Sequence, residues 1–123
     1  MIGVDVVGSV TVLTDSDPAA CDQAALAGLV AMVGQVRGWL DSYDARIAMR
    51  ASVLAASGVG DPAEVTLADG GRRSTRAAKD AARRGAVCAD LPDVFDALAS
   101  GAVSSGHVDA IARLAGRLDD TGR

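Results

Sequence analysis

The chain has 123 residues, half of them apolar, and a net charge of −4, enough for one domain with a core of its own. A single Phe, a single Trp and a single Tyr leave the packing to Ala, Val and Leu, which argues against a sandwich built on large aromatic anchors and favours helices that approach closely. Cys21 and Cys88 are too few and too far apart for a disulfide framework or a zinc spacing, so both are expected as reduced, buried side chains in a cytoplasmic protein without metal or cofactor.

The negative charge argues against a generic nucleic-acid binder, but its distribution is uneven. Residues 1–71 carry three basic and nine acidic side chains, residues 72–89 six and one, and residues 90–123 three and six. A basic island lies between two acidic flanks.

The opening MIGVDVVGSVTVL has no basic start, and Asp5 and two glycines interrupt it well short of the ~20 apolar residues a membrane span needs. It reads as neither signal peptide nor anchor. Residues 4–13 are rich in Val and Thr and suit a short strand or an extended arm, so residues 1–16 are expected as a loosely attached lead to a single all-helical domain over 17–123.

Asp17-Pro18 marks a helix start, and Leu26, Leu29, Val33, Val36, Leu40, Tyr43, Ile47 and Leu54 then recur at spacings of three and four, a heptad seam with Arg50 at one seam position. The flanks add Val30, Met32, Trp39 and Val53, so the apolar face is wider than a two-stranded seam requires. Unbroken from Pro18 to Ser57, this helix would run ~60 Å, too long for the rest of the chain to cover. Leu29, Val33, Val36, Leu40, Tyr43 and Ile47 are therefore the expected interface with a second copy or with a further C-terminal region.

Gly58, Gly60 and Asp61-Pro62 end the long helix, and Asp61, Pro62 and Glu64 start a short one that Gly70-Gly71 stops. Gly58-Val59-Gly60 is no phosphate loop: it follows a helix, lacks the third glycine, and has no Lys-Ser/Thr ending.

Ser74 caps the next predicted helix, Thr75 to about Ala89. Arg76, Lys79 and Arg83 share one face, opposite the small residues Ala77, Ala78, Ala81, Gly85 and Cys88. Arg72 and Arg73 lie just before its N-terminus, where the helix dipole disfavours cations unless an anion sits between. Arg72, Arg73, Arg76, Lys79, Arg83 and Arg84 are thus the candidate nucleic-acid contacts. The competing reading is a solvated face, or one paired with Asp41 and Asp44 of the long helix.

From Leu91 to Leu114 the grammar is two helices joined by a tight turn. Pro92 sits in a first turn that Asp90 can cap, and Gly101 is placed for a left-handed C-terminal residue. Ser104 caps the second helix, with Val103 and Val108 spaced as a hydrophobic staple. His107, in that first turn, reads as a hydrogen-bonded structural residue.

Residues 74–114 resemble the helical region of the domain-of-unknown-function 222 family, also called the 13E12 repeat. The matching features are the Ser74 start, the Ala/Arg-rich helix running into Leu91-Pro92, Ala97-Leu98 with Gly101, and Val103-Ser104 with His107-Val108. The resemblance implies an all-helical region that precedes an HNH nuclease domain in putative endonucleases, of which this chain would be an N-terminal fragment or a shortened member. It supplies no nuclease here: an HNH site needs a general-base His, a positioning Asn and metal ligands, and the chain has one His and no Asn.

Two functions follow as expectations. One is a non-catalytic accessory domain that holds the DNA backbone weakly and without sequence preference through the basic helix. The other is a structural or oligomerisation module using the heptad helix. Base reading by the last helix is disfavoured, because Asp109, Asp119 and Asp120 would be repelled by phosphate.

Overall fold

The computed structural model describes residues 5–121, with side chains for residues 5–114. It is all-helical: α1 (Val6–Asp15), α2 (Gln23–Ala56), α3 (Ala63–Leu67), α4 (Thr75–Asp90), α5 (Pro92–Ser100) and α6 (Ser105–Thr121), with single 3-10 turns at Pro18–Ala20 and Asp69–Gly71. No strand occurs among the described residues. No helix among them is long and apolar enough to cross a membrane.

The lead departs from the expected strand or extended arm. Residues 6–15 form a helix whose N-cap is Asp5, its carboxylate accepting the Gly8 N–H at 2.9 Å, and α1 packs on α2. Tertiary contact overrides the weak helix preference of its Val and Thr residues. The start of the long helix also moves. Asp17 and Pro18 open only the 3-10 turn, and α2 is capped by Asp22, which accepts the Ala25 N–H at 2.8 Å. Its 34 residues span about 51 Å.

α2 is the spine, and α1, α3, α4 and α5 all pack on it. The face it turns inward is made of small residues: Gly38, Ser42, Ala45, Ala48 and Ala51. α4 answers with Ala78, Ala81, Gly85 and Cys88, the small face expected from its sequence. A Cβ built on Gly85 would lie 2.5 Å from the Ala48 Cβ and 3.2 Å from the Ala45 carbonyl oxygen, so the two backbones are nearer than any side chain at that position allows.

One core cluster joins Ala48, Ala51, Ala63, Leu67, Ala78 and Ala81. The other joins Ala45, Cys88, Leu98 and Val108, with Met49, Val94, Phe95 and Val103 packed around it. Burial pushes the Cys88 thiol pKa up, which keeps it protonated and inert.

The α5–α6 corner forms as its punctuation predicts. Gly101 is left-handed at φ 82°, a conformation that costs a residue with a Cβ about 1 kcal/mol or more. The Ser104 hydroxyl accepts the His107 N–H at 3.3 Å, and the His107 ring Nδ1 accepts the Ser104 N–H at 3.0 Å. This is a reciprocal capping box with His in the place usually held by Glu or Gln. At α5 the expectation fails in one detail: Asp90 is the last residue of α4, and Leu91 joins the two helices with no side-chain cap.

Candidate functional site

Two surfaces were expected to carry function, the basic helix and the heptad seam. The structure divides the six cationic candidates by the face of α4 on which they fall. Arg84 turns inward, and its guanidinium donates to both carboxylate oxygens of Asp109 on α6, at 2.7 and 3.1 Å. Burial lowers the Arg84 pKa, but the hydrogen bonds and charge of Asp109 more than offset it, so the net shift is upward. Arg73, about one-third exposed, pairs with Asp44 of α2 at 3.3 Å. These two cations clamp α4 and its approach to α6 and α2, which is the pairing alternative raised by the sequence, with Asp109 in place of Asp41 as the carboxylate that Arg84 contacts.

The other four face solvent. Arg72 pairs with Asp69 at 3.3 Å and Arg83 with Asp80 at 3.5 Å, both contacts between neighbouring turns at the surface; exposed pairs of this kind contribute roughly 0–1 kcal/mol. Arg76 and Lys79 make no ion pair among the described residues. Together with Thr75, Asp80 and Arg83 they line a shallow groove. The basic surface is therefore smaller than the six residues suggested.

Asp41 lies half-buried on α2 near Arg84. Burial raises its pKa; Arg84 pulls it down without cancelling the rise, and Asp44 and Asp109 push it further up. The folded chain thus binds this proton more tightly than the unfolded chain does. Stability contributed here is greatest when Asp41 is protonated, falls as pH rises from the ordinary carboxylate value of 3.8 through the raised folded value, and stays lower above it. Asp41→Asn is expected to remove that fall, raising the urea midpoint at neutral pH while leaving it nearly unchanged in acid.

The seam, expected to face a partner, is only partly covered by the chain. It lies on the side of α2 opposite the small-residue face, so it is not the chain's own core. Leu29, Val33 and Val36 are half-buried, whereas Leu40, Tyr43 and Ile47 are 52%, 45% and 36% exposed. Tyr43 stacks at 5.5 Å on Trp39, and the Arg46 guanidinium lies 5.2 Å over its ring, a cation–π contact that holds the aromatic pair in place. Beside them Tyr43, Ile47, Arg50, Leu54 and Gly60 line an open groove of about 400 Å³.

The inward row at 38, 42, 45, 48 and 51 was not singled out from the sequence, although its spacing repeats that of the small face on α4. No cluster of three or more His, Cys, Asp or Glu side chains suited to a metal ion occurs among the described residues. Comparison of the chain with family models, with curated proteins and with solved structures gave no match.

Proposed function

We propose that the chain is a non-catalytic assembly module that docks a partner on the outer face of α2. One observation carries this reading: α2 turns Gly38, Ser42, Ala45, Ala48 and Ala51 inward and leaves Leu40, Tyr43 and Ile47 in a row at the surface. A continuous apolar row is what a partner removes from water. We assign no reaction to the chain, because its one His caps α6 and an HNH centre requires an Asn that the sequence lacks. The resemblance of residues 74–114 to the 13E12 repeat supports the narrower reading that the module accompanies an HNH endonuclease.

Sedimentation velocity at micromolar concentration tests the proposal. The wild type is expected to associate, and Leu40→Asp combined with Ile47→Asp to give a helical monomer by far-UV circular dichroism. A wild type that stays monomeric would overturn it.

A second reading is favoured by the position of Arg76, Lys79 and Arg83 along one solvent-facing groove of α4. Three outward cations suit a weak, sequence-indifferent contact with a nucleic-acid backbone. Fluorescence anisotropy on duplex DNA should then show log K falling with log salt at a slope of about −3, from ~0.9 per neutralised phosphate. Replacing all three by Glu should abolish binding; absence of wild-type binding at low salt would end this reading.

A further inference from the structure

The outer face of α2 is not uniform along its length. α1 has ten residues, about 15 Å of helix, and the turn at Pro18–Ala20 folds it back along the first half of α2. The seam records its footprint: Leu26, Leu29, Val33 and Val36 are half-buried, and exposure begins at Leu40. α1 therefore forms a ridge that covers part of the first half of α2, beside an open groove along Leu26, Leu29, Val30 and Val33, and leaves a second groove uncovered over the second half. From Leu40 to Leu54 that groove runs about 21 Å, long enough to accept a helix of the length of α1.

The two surfaces differ in sign. The ridge exposes Val7 at 79% and Val10 at 41%, and residues 5–22 carry Asp5, Asp15, Asp17 and Asp22 with no basic side chain. The groove has Tyr43, Ile47 and Leu54 along it, with Arg46 and Arg50 beside them and one carboxylate, Asp61, at its edge, a net positive lining. Ridge and groove are both apolar and opposite in net charge, and the groove is long enough to take the whole ridge.

We infer that the occupant of the groove is α1 of a second copy, and that a two-fold axis running across the outer face of α2, clear of the helix and level with Trp39 and Leu40, lets the ridge of each copy fill the groove of the other. The contact is isologous, so the same complementarity is used twice and the assembly closes as a dimer. With this axis the partner's α1 runs parallel to α2, the partner's Val10 faces Ile47, and the partner's Asp15 comes near Arg50. Within one chain Val10 lies over the first half of α2, about 20 Å along the helix from Ile47. Direct antiparallel pairing of the two open halves of α2 would instead set Arg46 against Arg46, and like charges oppose it.

This inference rests on the assembly reading, and one set of variants separates the two. In a Cys21→Ser background, with Cys88 left in the core, chains carrying Val10→Cys are mixed with chains carrying Ile47→Cys and oxidised. The mixed disulfide is expected in preference to either homodisulfide. Asp15→Lys and Arg50→Glu are each expected to weaken self-association about tenfold, and a chain carrying both to recover it. Association with an Ile47→Cys homodisulfide, or without recovery in the double variant, overturns the two-fold arrangement and leaves the assembly reading standing. A wild type that never associates overturns both.

Discussion

Gly85→Ala is expected to destabilise the chain by about 2–3 kcal/mol. On helix propensity alone the change should stabilise α4 by up to about 1 kcal/mol, so the sign depends on the crossing with α2. There the new methyl meets the Ala48 Cβ at 2.5 Å and the Ala45 carbonyl at 3.2 Å, well inside the 3.5–4.0 Å at which carbon atoms attract. Both obstacles belong to backbone or to an Ala, which has no rotamer to move aside. The helices must separate, and every small-on-small contact along the crossing weakens together. Gly28→Ala is the control, because a Cβ there meets nothing within 4 Å and should stabilise by about 0.5–1 kcal/mol. Urea unfolding followed by far-UV circular dichroism measures both.

Leu98→Ala is expected to cost about 3 kcal/mol or more. Leu98 is 0% exposed and sits where Ala45, Cys88 and Val108 converge. The fully buried neighbours Ala45, Cys88 and Val108 are too short to collapse into the space, so much of the cavity persists. Against a total stability of roughly 5–15 kcal/mol for a domain, this one truncation is a large fraction. Leu40→Ala removes the same atoms from a side chain that is 52% exposed. In the monomer it should shift the unfolding midpoint little while weakening self-association, which separates the role of an inward leucine from that of an outward one.

Much of the fold was legible because its punctuation is local. Ser74, Gly101 and Ser104 act on residues within one turn of themselves, and the helices they delimit start and stop as the sequence indicates. The heptad seam was legible as a pattern and as a face too long for the chain to cover, but the face that makes the chain's own core was not. Periodicity ranks Leu, Val and Ile above Ala and Gly, whereas the chain's own core uses the small face because only that face admits α4 at close range. α1 was misread because β-branched residues suit a strand until a neighbouring helix offers them a surface. Pairing of the cations with α2 carboxylates was legible as an alternative, but which cations it takes was not: Arg73 and Arg84 are held by carboxylates 29 and 25 residues away, and no local rule distinguishes them from Arg76 or Lys79.

The alanine-lined crossing of α2 and α4 also shapes how the chain responds to temperature. Alanine loses no rotamer freedom when it is buried, so ordering this core costs less entropy than ordering one of leucines or methionines. It also withdraws little apolar area from water, and the heat-capacity change of unfolding follows that area. The chain should therefore show a flat stability curve, with a low and broad maximum and a cold-unfolding limit far below the freezing point of water.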